Sequence, residues 1–342
     1  MVEVVTEVEK ASGDFYYPKT SEVVIKTAMP YDINTATVRV AESIAALTNI
    51  EIYDQVRILI NGRVMFSGRL DTRRATFAKN GSSFEYPLSD HGQVLKYINV
   101  SSVKSWATPT ATGTIIENLR SSFVSADLTG NNIATGPNIS EYNVPAWSKD
   151  ILSSYQELAK IADYNLWVDW DKDIHFTIKP TTAKDGFAVV EGKNLVSLSN
   201  YEEDVWQVRN YVKVFGDTGF SAIAQDATSQ TAYHKREYVY TDPSLGSNAV
   251  CQEVATALLQ PDPPERINCT VIGDLNVEAG DLVTVSIPKF AISGNYVVSQ
   301  VEHRINKSTF ETGLQLGQPI PDIMRIIASV SGRIQKLEGG YT

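Results

Sequence analysis

Residues Arg266 to Gly317 read RINCTVIGDLNVEAGDLVTVSIPKFAISGNYVVSQVEHRINKSTFETGLQLG, and this stretch constrains the fold more than any other. Ile267, Cys269 and Val271 alternate with polar residues, and so do Val283, Val285 and Ile287. Tyr296, Val297 and Val298 lead on to Val301, and Leu314 and Leu316 close the run. Alternation over short segments specifies half-buried antiparallel strands. The breaks carry turn residues: Ala279-Gly280-Asp281, Pro288, Ser293-Gly294-Asn295 and Asn306-Lys307-Ser308. Four strands with short turns form a meander, and a meander with one apolar face must curl or pack to hide it.

The same pattern occupies the first hundred residues. Strands are expected at 22–26, 37–40, 54–60, 63–68, 73–77 and 83–88. Asn61-Gly62 and Asn80-Gly81 stand between alternating runs, and Asn-Gly supplies the two positive-φ residues of a tight hairpin turn. Asp90-His91 pairs an acid with a base, but no nucleophile is near in sequence, so a polar turn is expected.

From about residue 105 the period changes from 2 to 3.6. Thr114 and Glu117 have capping-box spacing ahead of Ile116, Leu119 and Phe123. A Gly-, Asn- and Thr-rich loop is expected from about 126 to 140. Ser148 is expected to cap a second helix, with Ile151, Leu152, Tyr155, Leu158, Ala159 and Ala162 on one face. Leu166–Trp170 and Ile174–Ile178 then read as a hairpin across Asp171-Lys172-Asp173. Asp169, Asp171 and Asp173 open like a calcium loop. However, Ile174 stands where that loop needs glycine and Pro180 where it needs its last acid, so hairpin-turn carboxylates are expected.

Beyond residue 193, Gln207–Gly216 reads as a strand. Ser247–Gln260 reads as a helix with Val250, Val254, Ala257 and Leu258 inward, stopped by Pro261, Pro263 and Pro264. After Pro321, Ile323, Ile327, Val330, Ile334 and Leu337 recur at 4-3-4-3 spacing. This is a heptad seam rich in β-branched residues, which favours trimers or higher states over dimers. Because the seam is about two heptads long and contains Gly332, a single amphipathic helix docked on its own chain is the alternative.

Composition excludes several classes. A net charge of -10 argues against a nucleic-acid-binding surface, which needs clustered Lys and Arg. No basic-then-apolar leader is expected in MVEVVTEVEK, and no run approaches the ~20 apolar residues of a membrane span. Cys251 and Cys269 are expected to be reduced and buried. The four histidines, His91, His175, His234 and His303, are scattered, and no G-x-S-x-G, H-E-x-x-H or phosphate loop is present. No enzyme activity, cofactor or metal is therefore expected. Trp147, Trp167, Trp170 and Trp206 cluster in the middle third, at positions where core packing is expected.

The wording of these segments resembles a known family, the baseplate hub or late-control-D proteins of phage tails and contractile injection systems. In the last meander the likeness is carried by Gly280, Asp281, Val283, Val285, Gly294, Tyr296, Val298, Val301, His303, Thr312, Leu314, Leu316 and Gly317. In the first it is carried by Val56, Ile58, Ile60, Asn61, Gly62, Phe66, Ser67 and Gly68, with Ser89–Leu95 at the domain's end. Leu158, Ala159, Ala162, Trp167, Asp169, Phe176 and Pro180 match in the middle module. Arg209, Asn210, Val212, Val214 and Gly216 match the strand that opens the second barrel in that family.

The resemblance implies a mainly β chain with an α+β insertion: a tube-like β-barrel over 1–104, a helix-plus-hairpin module over 105–192, a second tube-like barrel over 193–318, and a C-terminal helix and tail over 319–342. It further implies a structural virion protein of the tail, assembled in the host cytoplasm. Three copies would form a ring that adapts a sixfold tail tube to a threefold spike or tail tip, with DNA passing through unbound. The expected partners are two further copies, the tail tube protein and the spike or tail-tip protein, with the tape measure protein as a further candidate. The competing readings are a cell-wall-degrading or peptidase tail-tip enzyme and a multi-domain β adhesion or carbohydrate-binding protein.

Overall fold

The alternating runs become two curled walls, each around its own core. The structure, a computed structural model, describes residues 2–10, 12–40, 50–78, 81–139, 142–217, 219–243 and 245–317. The first wall runs Val4–Glu9, Gln55–Ile60, Arg63–Leu70, Gly81–Asp90, Thr35–Val40 and Thr20–Ala28, antiparallel throughout. Every strand sends alternate side chains, such as Val8, Ile25, Val38, Ile58, Leu70 and Leu88, into one core. Six strands that turn the same face to one core must curl around it. The ends of the curl meet where the Thr20 hydroxyl donates to the Thr6 hydroxyl at 2.9 Å.

The second wall is built from Ala188–Val190, Leu282–Ile287, Ile292–Asn306, Phe310–Gly317, Glu265–Ile272 and Leu195–Glu203, antiparallel except that Ala188–Val190 runs parallel to Leu282–Ile287. Its core holds Val189, Val285, Val298, Leu314, Cys269 and Tyr296. The two walls are one continuous sheet, because Ile292–Asn306 also pairs with Thr20–Ala28, from Gln300 opposite Ala28 to Asn306 opposite Glu22.

The 15-residue strand Ile292–Asn306 serves both cores through a bulge. Val298 pairs with Leu316 and Gln300 with Gln315, so Ser299 is skipped. An extra residue reverses which side chains face inward. Tyr296 and Val298 point into the second core, Val301 continues there from the opposite parity, and Ile305 enters the first. The turn expected at Ser293-Gly294-Asn295 is instead part of this strand, with Gly294 opposite Val285. The chain reverses earlier, in a 3-10 turn at Pro288–Phe290 with Ala291 left-handed at φ 57°.

The helical module is a separate unit with its own small sheet. Thr112–Phe123 and Ile151–Ala162 pack Ile115, Leu119, Tyr155 and Leu158 against a sheet of Thr129–Ile133, Asp173–Ile178 and Tyr164–Val168. The expected hairpin is present. Its third strand, Thr129–Ile133, falls in the stretch read as loop. That strand is tethered by Asp173, which accepts hydrogen bonds from the Thr129 hydroxyl, the Asn131 N–H and the Asn132 amide. The expected caps are displaced. Ala111 precedes the first helix, and Glu117 forks onto Arg120 instead of reaching back. Asp150, not Ser148, caps the second helix by accepting the Ser153 N–H at 2.6 Å.

A second insertion corrects the expectation for 207–216. Tyr211–Phe215 belongs to neither wall. It is the middle strand of a separate sheet with Ser221–Gln225 and Glu237–Thr241, backed by the helix Asn248–Leu258. This unit replaces the turn between Leu195–Glu203 and Glu265–Ile272, which pair with each other from Glu203–Glu265 inward. An Arg209–Gln260 bridge closes its neck. Ser247, read as the first helical residue, instead caps the helix, and of the expected inward face Val254 and Leu258 are buried, joined by Cys251 and Ala255, while Val250 and Ala257 are only partly buried. Both cysteines are buried and free.

Candidate functional site

The seam residues Ile323, Ile327, Val330, Ile334 and Leu337 lie outside the described residues, as does Asn80 of the second expected hairpin turn. Among the described residues, the densest buried polar group surrounds Asp90 and His91, where strand Gly81–Asp90 ends. Asp90 is 4% exposed. Its carboxylate accepts the Tyr31 hydroxyl at 3.0 Å from both oxygens, the Asn34 N–H at 3.0 Å and the Gly92 N–H at 2.9 Å. Burial raises its pKa to about 7, and the Tyr31, Asn34 and Gly92 donors act against that rise. Burial, with the same carboxylate alongside, raises the Tyr31 phenol well above its ordinary value.

His91 has another partner, the Ser67 hydroxyl, at 2.9 Å from Nε2. The nucleophile that sequence proximity did not supply is thus brought by the fold from the strand Arg63–Leu70, where Ser67 lies opposite Arg57. The contact does not make a triad. The Asp90 carboxylate is turned onto Tyr31 and the two backbone amides. Ser67 and His91 are both buried. Burial lowers the His91 pKa to about 4, and the Lys172, Arg69 and Arg57 charges add to this. A void of about 10 Å³ in the first core and a polar groove of about 420 Å³ between Val103–Trp106 and Asn118, Ser121 and Ser122 both exclude Ser67 and His91 from their linings. Acyl transfer needs a hydroxyl that a substrate can reach, and Ser67 is 3% exposed.

The remaining expected residues are held in structural contacts. Asp169 accepts the N–H groups of Asp171 and Asp173 and the His175 ring nitrogen at 2.9 Å. Burial opposes its charge, but the His175 and backbone hydrogen bonds outweigh burial and hold the carboxyl below its ordinary range. His175 also stacks on Trp167, with centroids 4.6 Å apart. His303 is buried in the second half's long strand, with Nδ1 3.0 Å from the Thr312 hydroxyl, and burial lowers its pKa to about 4. His234 is exposed at the end of a short helix.

The tryptophans depart from the expectation of core packing. Trp147 is 71% and Trp206 84% exposed, and Trp170 is exposed as well. Trp147 sits in a turn with φ 59°, and Trp206 in a 3-10 turn capped by Asp204, so neither lies on an apolar strand or helix face. Trp167 is half-buried. The outer face of the inserted sheet exposes Phe215, Ile223 and Val239 opposite its helix-covered side, with Lys213 among them.

A family model described as YQBQ-like matches residues 25–317 of this chain. No curated protein matches it. Solved structures do. The 43 kDa tail protein of prophage MuSo2 from Shewanella oneidensis superposes with a TM-score of 0.72 at 12% identity, covering 94% of this chain and 99% of that one. A tail protein from Neisseria meningitidis MC58 gives 0.69 at 10% identity, with 94% and 99% covered. Prophage tail protein gp18 from Listeria monocytogenes EGD-e gives 0.61 at 10% identity, with 98% and 100% covered. At these identities the likeness is one of fold, and it extends over nearly the whole of each chain.

Proposed function

The chain belongs to the YQBQ-like family, and from that membership and its fold we propose that it is a structural component of a phage tail, a hub at the baseplate or tail tip. One observation carries the reading: a single chain builds two curled walls, each with at least six strands among the described residues and each around its own core, joined edge to edge through Ile292–Asn306. Three such chains present six walls, so a threefold ring can meet a sixfold tube on one side and a threefold spike or tail tip on the other. DNA passes through the centre without specific binding, which suits a chain of net charge -10. The tube protein, the spike or tip protein and the tape measure protein are its neighbours in the tail. The protein has no catalytic role in this reading, and the Ser67–His91 contact is a buried polar pair.

Electron microscopy of the purified protein tests the proposal, together with light scattering over a concentration series. A threefold ring with six lobes and an open centre is the expected result. A chain that stays monomeric at every concentration overturns the self-assembling ring. Truncation after Gly317 assigns the seam: loss of the ring places its cohesion in Ile323, Ile327, Val330, Ile334 and Leu337, whereas an unchanged ring places it in the walls.

A further inference from the structure

The first wall and the helical module meet at one covalent crossing. Asp90 is the last residue of Gly81–Asp90, and Gly92 already starts the helix Gln93–Tyr97, whose Leu95 lies in the module's core. The Tyr31 ring comes from the first wall's loop yet packs in that same module core. Its carbonyl accepts the Gln156 amide, from the helix Ile151–Ala162, at 2.7 Å. A Cβ at position 92 would lie 1.8 Å from the Tyr31 hydroxyl, so only glycine lets the loop close this tightly. One buried carboxylate therefore ties together the wall's last strand, the loop at 29–34 and the first turn of the module.

We propose that this junction is a proton-sensitive joint that sets how tightly the helical module is held to the first wall. Closed, the Asp90 carboxylate is surrounded by N–H and O–H donors and shut off from solvent; opened, it meets water. Burial holds its pKa at about 7 in the closed joint, against about 4 for a carboxyl in water. The closed joint thus binds the proton more tightly, and its stability is greatest below about pH 4. Opening gains up to roughly tenfold per pH unit between about 4 and 7 and levels off above.

The charged and titratable groups facing the junction are Tyr31 and Asp32 on the loop, His91 beside Asp90, Arg57 and Arg69 on the wall, and Asp169 and Lys172 on the module's hairpin. Of these, His91 acts with the opposite sign: buried neutral, with its pKa lowered to about 4, it favours opening as pH falls.

Hydrogen exchange of the Asn34 and Gly92 amides, corrected for intrinsic exchange, reads the opening directly because both donate to Asp90. In the full chain carrying His91→Gln, which removes the opposing titration, their protection should fall by at least tenfold from pH 5 to pH 7 and then level, whereas with His91 present the two titrations offset each other below about pH 6.5 and the fall shrinks to about twofold. The Val298 amide, bonded to the Asp281 carbonyl in the second wall, should show no such step. Asp90→Asn should flatten the profile. Tyr31→Phe keeps the ring in its core but removes a donor that favours the charged carboxylate, so its levelling-off should move to higher pH. That variant decides the matter if Asp90→Asn does not fold. Protection that is flat in the His91→Gln chain, or that falls there on acidification, overturns the proposal, as does a Tyr31→Phe profile in that background identical to its parent's.

Discussion

Ile305→Ala tests whether the two walls form one mechanical sheet. Ile305 belongs by sequence to the second wall but is 2% exposed inside the first core, opposite Val23 on one side and Phe310 on the other. The substitution removes three carbon atoms, worth about 2.4 kcal/mol at ~0.8 kcal/mol per buried carbon, before any residual cavity is counted. Adding the cavity term gives a cost of roughly 3–4 kcal/mol. For a cooperative unit of this size, each kcal/mol moves the melting temperature by about 2–4 °C, so a fall of roughly 6–16 °C is expected. Far-UV circular dichroism is the assay to use. The five tryptophans, Trp106, Trp147, Trp167, Trp170 and Trp206, lie outside both walls' strands, so their fluorescence reports on the modules instead. Ile223→Ala, on the exposed face of the inserted sheet, is the control and should change stability by less than ~0.5 kcal/mol. A loss below about 1 kcal/mol for Ile305→Ala would refute the packing of this strand into the first core.

Three further outcomes follow from particular side chains. His303 is held neutral by burial with a pKa of about 4 against an ordinary 6.5, so its stabilising contribution is complete above 6.5 and is lost as pH falls toward 4. By pH 5 the loss is about 2 kcal/mol, and urea titrations at pH 7 and 5 should show a correspondingly smaller drop for His303→Gln than for the native chain. Asp150→Ala should cost about 1 kcal/mol as a lost helix cap, whereas Ser148→Ala should cost less than ~0.5 kcal/mol; thermal melts separate the two positions. Ser67 should not react with a fluorophosphonate probe above the level of Ser67→Ala, and stoichiometric labelling at Ser67 would restore an esterase or peptidase reading.

The sequence by itself determined which face of each strand turns inward. Ile267, Cys269 and Val271, then Val283, Val285 and Ile287, then Leu314 and Leu316 are all buried, as their alternation requires, because successive side chains of a strand point to opposite sides. Asn61-Gly62 likewise sits at φ 51° and 77°, the backbone that its hairpin needs. Leu195–Glu203 escaped this reading because two bulges space its half-buried Leu195, Leu198 and Tyr201 three apart, which hides the alternation.

What only the tertiary structure decided is which elements become partners. Alternation names a buried face but says nothing of whose edge completes the ladder, because backbone N–H and C=O groups are the same at every residue. Tyr211–Phe215 therefore reads as a wall strand and lies in a separate sheet, while Ile292–Asn306 reads as the middle of one meander and joins two. The Asp90 junction was out of reach for the same reason. Tyr31, Ser67 and Gln156 reach Asp90, His91 and Tyr31 from 59, 24 and 125 residues away, and the distances that make the site exist only once both cores have closed.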